Sequence, residues 1–295
     1  MTNQILDPAI LSSIAHLEVV ARQAVEGAVS GMHRSHMMGR NVEFSEYRPY
    51  NPGDELRLVD WRVYAKTDRY HIKQFEEDTN LRALILADLS GSMWFGEPVS
   101  KALYVQQLAA ALSYLMVFQG DSVGLCTFDE NIREYVPPRN RTDQWGVVLG
   151  ALAQVQANRS TTRLGDVLAG VREYLKKRGL LIIISDLIDD PEQVLASLSV
   201  LGRMKQEILL FHVLSHEELD LPYSGTVEFH NIEGDEDDSL RTAPKRLRDR
   251  YQQKVHDFVQ QYRNRCLEQG IDYKLVRTDQ PLDQVLRDTL HKRRL

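Results

Sequence analysis

Two short stretches constrain the fold of this 295-residue chain more than any other feature: RALILAD at residues 82–88 and LLIIISD at residues 180–186. Neither alternates apolar with polar residues. A strand with one wet face shows such alternation, so an uninterrupted apolar run reads as a strand buried on both faces, as in a parallel sheet covered by helices. A third run, DSVGLCTF at residues 121–128, has the same character, and the Asp-Glu-Asn turn after it makes residues 132–136 its hairpin partner. Further strands are expected at residues 207–213 and 271–277. Helical spacing marks residues 100–118, where Leu103, Gln107, Ala110, Ala111 and Tyr114 recur, and helices are also expected at 144–156, 164–178, 191–204, 246–268 and 281–290. Strand alternating with helix predicts an α/β fold with a mostly parallel central sheet flanked by helices.

Two segments stand apart from that rhythm. Asp7-Pro8 starts a helix in which Ile10, Ile14, Leu17, Ala21, Ala24 and Ala28 share a face. It is followed by a β-prone region, with strands expected at residues 43–47 and 70–76 around the turn Asn51-Pro52-Gly53-Asp54. Arg48, Arg57 and Arg62 lie close in sequence to Asp54, Glu55 and Asp60, which reads as an ion-paired turn docked on the main domain with Trp61 packed beside it, a partner-contact surface being the alternative. Residues 216–244 are long for a connection and contain a β-like stretch at 226–232 and an acidic run at 233–238. The organisation this predicts is a helix plus β-rich addition over residues 1–80 and a main domain over 81–295, with the 216–244 insertion pairing with the N-terminal strands in a small side subdomain.

Composition narrows the class. Hydrophobic residues make up 43% and charged residues 26%, the balance of a globular protein rather than a disordered one. Thirty-six basic against 42 acidic residues, a net charge of −6, argue against a surface built to hold nucleic acid. Cys126 and Cys266 form neither a disulfide framework nor a zinc-ligand spacing. With no secretory signal pattern and no run of about 18 apolar residues, a cytoplasmic protein without a transmembrane segment is expected. Neither a phosphate-binding G-x-x-x-x-G-K-[ST] loop nor a G-x-S-x-G elbow occurs, and no enzyme is predicted.

The residues that point to chemistry follow the first buried run. Asp88, Ser90 and Ser92, spaced by two, leave a strand end on a turn, and Asp186 occupies the same place after the second run. Ligands of open parallel sheets bind beyond the carboxyl ends of strands, at the point where the strand order reverses. If the two strands are neighbours, two carboxylates and two hydroxyls meet there. An all-oxygen set suits a hard cation such as Mg²⁺, whose charge would also relieve the repulsion between the carboxylates. Taken one at a time, the same residues suit helix capping and turn formation.

Asp88-Leu89-Ser90-Gly91-Ser92 resembles the D-x-S-x-S signature of the von Willebrand factor A domain, a Rossmann-like fold with a metal-ion-dependent adhesion site. Residues 160–168, STTRLGDVL, resemble the threonine loop of that family, and Ile184-Ser185-Asp186 its strand-end aspartate. The resemblance implies metal ligation by Asp88, Ser90, Ser92, Thr162 and Asp186, with Thr161 as a rival to Thr162. It implies Mg²⁺, or Mn²⁺ or Ca²⁺, as the ion. Met93, Trp94 and Phe95, next to the motif, are expected to be exposed and to contact a partner. From Gly39 to the C-terminus, through Arg48-Pro49-Tyr50-Asn51-Pro52-Gly53-Asp54-Glu55, Asp60-Trp61 and Gly270-Ile271-Asp272-Tyr273, the chain resembles the bacterial family called domain of unknown function 58. That family implies an adaptor or chaperone-like partner of a MoxR-type AAA+ ATPase acting on a protein client. The alternatives are a metal-dependent phosphohydrolase or phosphotransferase, for which no lysine is evidently placed, and a scaffold whose site is vestigial.

Overall fold

The computed structural model describes residues 8–30, 42–49, 61, 64, 70–77, 81–157, 160–230, 239–242 and 244–293. In chain order the elements are α1 (Pro8–Ser30), β1 (Val42–Pro49), β2 (His71–Glu77), β3 (Arg82–Asp88), α2 (Lys101–Phe118), β4 (Ser122–Phe128), β5 (Ile132–Arg139) and α3 (Gln144–Ala153). Then follow α4 (Leu164–Val171), β6 (Leu180–Ser185), α5 (Pro191–Arg203), β7 (Glu207–Leu214), α6 (His216–Asp220), β8 (Val227–His230), β9 (Ser239–Thr242), α7 (Pro244–Glu268), β10 (Asp272–Arg277) and α8 (Leu282–Arg293).

Six strands form the central sheet in the order β10-β7-β6-β3-β4-β5. All neighbours are parallel except β5, which returns antiparallel to β4. The chain builds outward from β3 through β4 to β5, then crosses to the other side of β3 and builds outward again through β6, β7 and β10. The two apolar runs are therefore neighbours, and the strand order reverses between them.

Alternation within β3 and β6 divides the core in two. Ala83, Ile85 and Ala87, with Leu180, Ile182 and Ile184, face a layer containing α1, α2, α3 and α8. Leu84 and Leu86, with Leu181 and Ile183, face α4, α5 and α7. Both faces are covered, which is why these strands carry no polar alternation. Cys126 and Cys266 are free thiols buried in the second layer. No helix among the described residues is long and apolar enough to cross a membrane.

Helix α1 sits on the main core: Leu17, Ala21, Ala24, Val25 and Ala28 are buried in the same cluster as β3 and α2. Among the described residues, the insertion strands do not pair with the N-terminal strands. β1 pairs antiparallel with β2 and β8 antiparallel with β9, as two separate two-stranded ladders. The ion-paired turn expected around Asp54, Glu55 and Asp60, and the acidic run at 233–238, lie outside the described residues. Helix α4 ends at Val171 rather than 178, because the amides of Glu173, Tyr174 and Leu175 bond to carbonyls three residues back in tighter turns.

The β4–β5 crossing depends on a glycine. A Cβ on Gly124 would stand 2.5 Å from the Val136 carbonyl oxygen and 2.6 Å from the Pro138 nitrogen, both backbone atoms. Gly124→Ala is expected to lower stability by about 1–3 kcal/mol, as overpacking against unyielding atoms does. A urea titration reads this as a lowered midpoint; an unchanged midpoint would mean that β5 does not lie so close against β4.

Candidate metal centre

The ends of β3 and β6, with the loop before α4, bring Asp88, Ser90, Ser92, Thr162 and Asp186 into one hydrogen-bonded cluster. Ser90 donates to Asp88 Oδ1 twice, from its amide (3.1 Å) and its hydroxyl (2.7 Å). Thr162 Oγ1 donates to Ser90 Oγ at 2.6 Å, and the Ser90 and Ser92 hydroxyls lie 3.4 Å apart. The Ser92 side chain in turn hydrogen-bonds Asp186. Asp88, Ser90, Thr162 and Asp186 are buried, and Ser92 is half-buried. Thr162 is the threonine that enters the cluster, while Thr161 is exposed. Its loop is pinned from two sides, since Gly91 donates its amide to the Ser160 carbonyl (2.8 Å) and the Ser160 hydroxyl donates to Asp129 Oδ2 (2.9 Å).

Three residues at this site escape the sequence reading. Ser185, the last residue of β6, donates to Asp88 Oδ2 at 2.6 Å, so both oxygens of Asp88 are held. Lys101, in the first turn of α2, is fully buried. Its Nζ donates to Asp186 Oδ2 at 2.7 Å and to Glu218 Oε1 at 2.5 Å. Glu218, on α6, is part of a capping box with Ser215. A signal for Lys101 did exist: the N-terminal turn of a helix carries partial positive charge and disfavours a cation, so a lysine there points to an anionic partner. Ser185 gives no such signal, being one more residue of a buried strand.

These contacts set the charges. Burial pushes the Asp88 carboxyl up to about 7, and the neighbouring Asp186 charge adds to the rise. Burial also acts to raise Asp186, but the Lys101 ammonium outweighs it and holds Asp186 below the usual carboxylate range. Burial would lower Lys101, yet Asp186 and Glu218 hold it at about 12. His212, beside Ser185 on β7, is pushed down to about 4 by burial and is neutral at pH 7.

Met93 is fully buried in the main core, correcting the expectation that it is exposed. The residues from Gly91 to Trp94 form a 3₁₀ turn that directs Met93 inward. Trp94 and Phe95 keep partial exposure. Ile188, beside the cluster, is 46% exposed two residues after Asp186 and donates its amide to Asp186 Oδ1 (3.2 Å). Between them Leu187 takes φ of 58°, a left-handed conformation that costs a non-glycine residue about 1–2 kcal/mol and is often found at functional sites.

Parallel strands reversing direction of growth between β3 and β6, with a carboxylate and hydroxyl cluster at that point, define an α/β domain of the von Willebrand factor A type. The chain belongs to the family described as Protein of unknown function DUF58, whose model matches residues 46–261. It is similar to the uncharacterized protein Rv1480 of Mycobacterium tuberculosis and the uncharacterized protein Mb1516 of Mycobacterium bovis. Each is 27% identical over 231 residues, covering 77% of this chain and 72% of the relative. Among solved structures it is similar to the conserved hypothetical protein BatB from Bacteroides thetaiotaomicron, with 16% identity, 72% of this chain and 98% of that chain covered, and a TM-score of 0.48.

Proposed function

We propose that this chain is a protein-interaction module whose β3–β6 crevice holds a divalent cation and offers it to a carboxylate of a partner protein. Asp88, Ser90, Ser92, Thr162 and Asp186 would hold the ion, with Trp94, Phe95 and Ile188 as apolar contact area beside it. The observation that carries this reading is the convergence of three hydroxyls on two buried carboxylates, an all-oxygen donor set that suits Mg²⁺ and, with less demand on geometry, Mn²⁺ or Ca²⁺. Among the described residues no group of three or more His, Cys, Asp or Glu side chains is placed to bind a metal, so the proposed set relies on hydroxyls beside its two carboxylates. When bound, the ion would supply a concentrated positive charge for the partner's carboxylate. The family resemblance supports a MoxR-type AAA+ ATPase as partner, with this chain as its adaptor for a protein client in the cytoplasm.

Calorimetry is expected to show one Mg²⁺ or Mn²⁺ bound per chain, and the ATPase is expected to co-purify only when the divalent ion is present. Capture that survives chelation would remove the ion from the mechanism. No binding of Mg²⁺, Mn²⁺ or Ca²⁺ would leave a scaffold with a vestigial site. Lys101 bears on the phosphoryl-transfer alternative, which needs a lysine near the carboxylates. Its Nζ, however, is fully buried and engaged by two carboxylates, so it has no route to a phosphate without rearrangement. Turnover of a phosphomonoester with Mg²⁺ that disappears in Asp88→Ala would favour the enzyme instead.

A further inference from the structure

We propose that Lys101 is the internal cation of this site, a positioning residue that holds Asp186 against Glu218 and weakens the grip of the crevice on the divalent ion. This rests on the metal-binding reading above. Lys101 Nζ sits between a candidate ligand and a carboxylate outside the ligand set, Asp186 and Glu218. Both partners are fixed from behind. Asp186 Oδ1 accepts the Ile188 amide, and Glu218 Oε2 accepts the Ser215 amide at 2.8 Å while Ser215 Oγ accepts the Glu218 amide at 3.2 Å. A second tie joins the same segments, since the Glu97 amide donates to Glu217 Oε1 at 3.2 Å.

A buried ammonium must be paired, and one carboxylate suffices for that. Here Asp186 serves both as its pair and as a candidate ligand, so a divalent ion would share this carboxylate with a resident unit charge. When ionised, Asp88, Asp186 and Glu218 bring three negative charges to this cluster, and Lys101 takes back one while lying between Asp186 and Glu218. Because Asp186 is shared with the ammonium, it neutralises a divalent ion less fully than an unshared carboxylate would, and a partner's carboxylate makes up the difference. Glu218 tempers the effect: by binding Lys101 from the other side, it draws part of the ammonium's charge away from Asp186.

Two variants test this in opposite directions, with Mn²⁺ alone as the titrant in calorimetry on the full chain. Lys101→Met removes the competing charge and is expected to bind Mn²⁺ at least about tenfold more tightly than the unaltered protein. Its thermal unfolding is also expected to depend on Mn²⁺ far more strongly, because the ion becomes the only counter-charge for Asp186. Glu218→Gln leaves the whole ammonium on Asp186 and is expected to weaken Mn²⁺ binding by about threefold to tenfold. Refolding of Lys101→Met on addition of Mn²⁺, if it does not fold without the ion, supports the proposal. If it stays unfolded even then, Glu218→Gln decides. Affinity within twofold of the unaltered protein in either folded variant, or a change in the opposite direction, overturns the role of Lys101. Absence of Mn²⁺ binding in the unaltered protein instead overturns the metal site itself.

Discussion

Replacing Asp88 by alanine is expected to abolish divalent-ion binding, with a loss of at least about a hundredfold in affinity, and to leave the chain folded. A unit pair of charges about 4 Å apart is worth about 4 kcal/mol at an effective dielectric near 20, and each 1.4 kcal/mol is a factor of ten. A hundredfold loss is thus conservative for a doubly charged ion. The fold is expected to survive because the carboxylate is not stabilising as an isolated charge. Asp88 is fully buried, and burial together with Asp186 opposes its ionisation. Removing it leaves the Ser90 amide and the hydroxyls of Ser90 and Ser185 without their acceptor, at a cost of about 1–3 kcal/mol each, while relieving the repulsion with Asp186. These changes offset in part. Calorimetry with Mg²⁺ and Mn²⁺ measures the affinity, and circular dichroism the fold. A folded Asp88→Ala protein that binds the ion as well as the unaltered one would move the metal out of this crevice.

Legibility followed burial. The strands of the main sheet were readable because a parallel strand covered on both faces has a composition that little else shares, and β3, β6 and β7 lie within one residue of their expected bounds. Asp88, Ser90 and Ser92 were readable because their strand-end spacing is local in sequence, and Asp186 because it ends the second buried run, whereas Thr162, 72 positions from Ser90, was reached only through the family resemblance. Contacts formed between distant segments were not. Lys101 and Glu218 are 117 positions apart, and nothing around either residue specifies the other. The same limit applied to Met93, since a hydrophobic residue after D-x-S-x-S looks the same whether a 3₁₀ turn directs it inward or leaves it on the surface. The two small ladders were hard to place for a related reason: polar strands carry no burial pattern from which a partner could be read.

A chain beginning at residue 81, where the main domain was expected to start, is expected not to fold cooperatively. Helix α1 shows an ordinary apolar face in the sequence, and that face alone does not say which surface covers it. In the structure the face closes the main core. Leu17 and Val25 are almost fully buried there together with Ala21, Ala24 and Ala28. Polar contacts tie the helix to the C-terminal end of the chain, with Arg287 donating to the Gly27 carbonyl at 3.2 Å. Gly27 also abuts Asp283 so closely that an added Cβ would stand 3.1 Å from the Asp283 Cβ. Arg22 lies over the rings of Tyr114 and Trp145, at 5.4 and 5.2 Å from their centroids. Burial of a Leu or Val side chain is worth about 1.5–3 kcal/mol, and each alanine methyl adds about 0.8 kcal/mol. With the surfaces of α2 and α8 that α1 shields, the loss is of the size of a domain's whole net stability, about 5–15 kcal/mol. Leu17→Ala in the full chain is the milder form, expected to cost about 2–5 kcal/mol. Chemical denaturation followed by circular dichroism measures both. If residues 81–295 alone unfold with the same midpoint and cooperativity as the full chain, α1 is dispensable and the core closes without it.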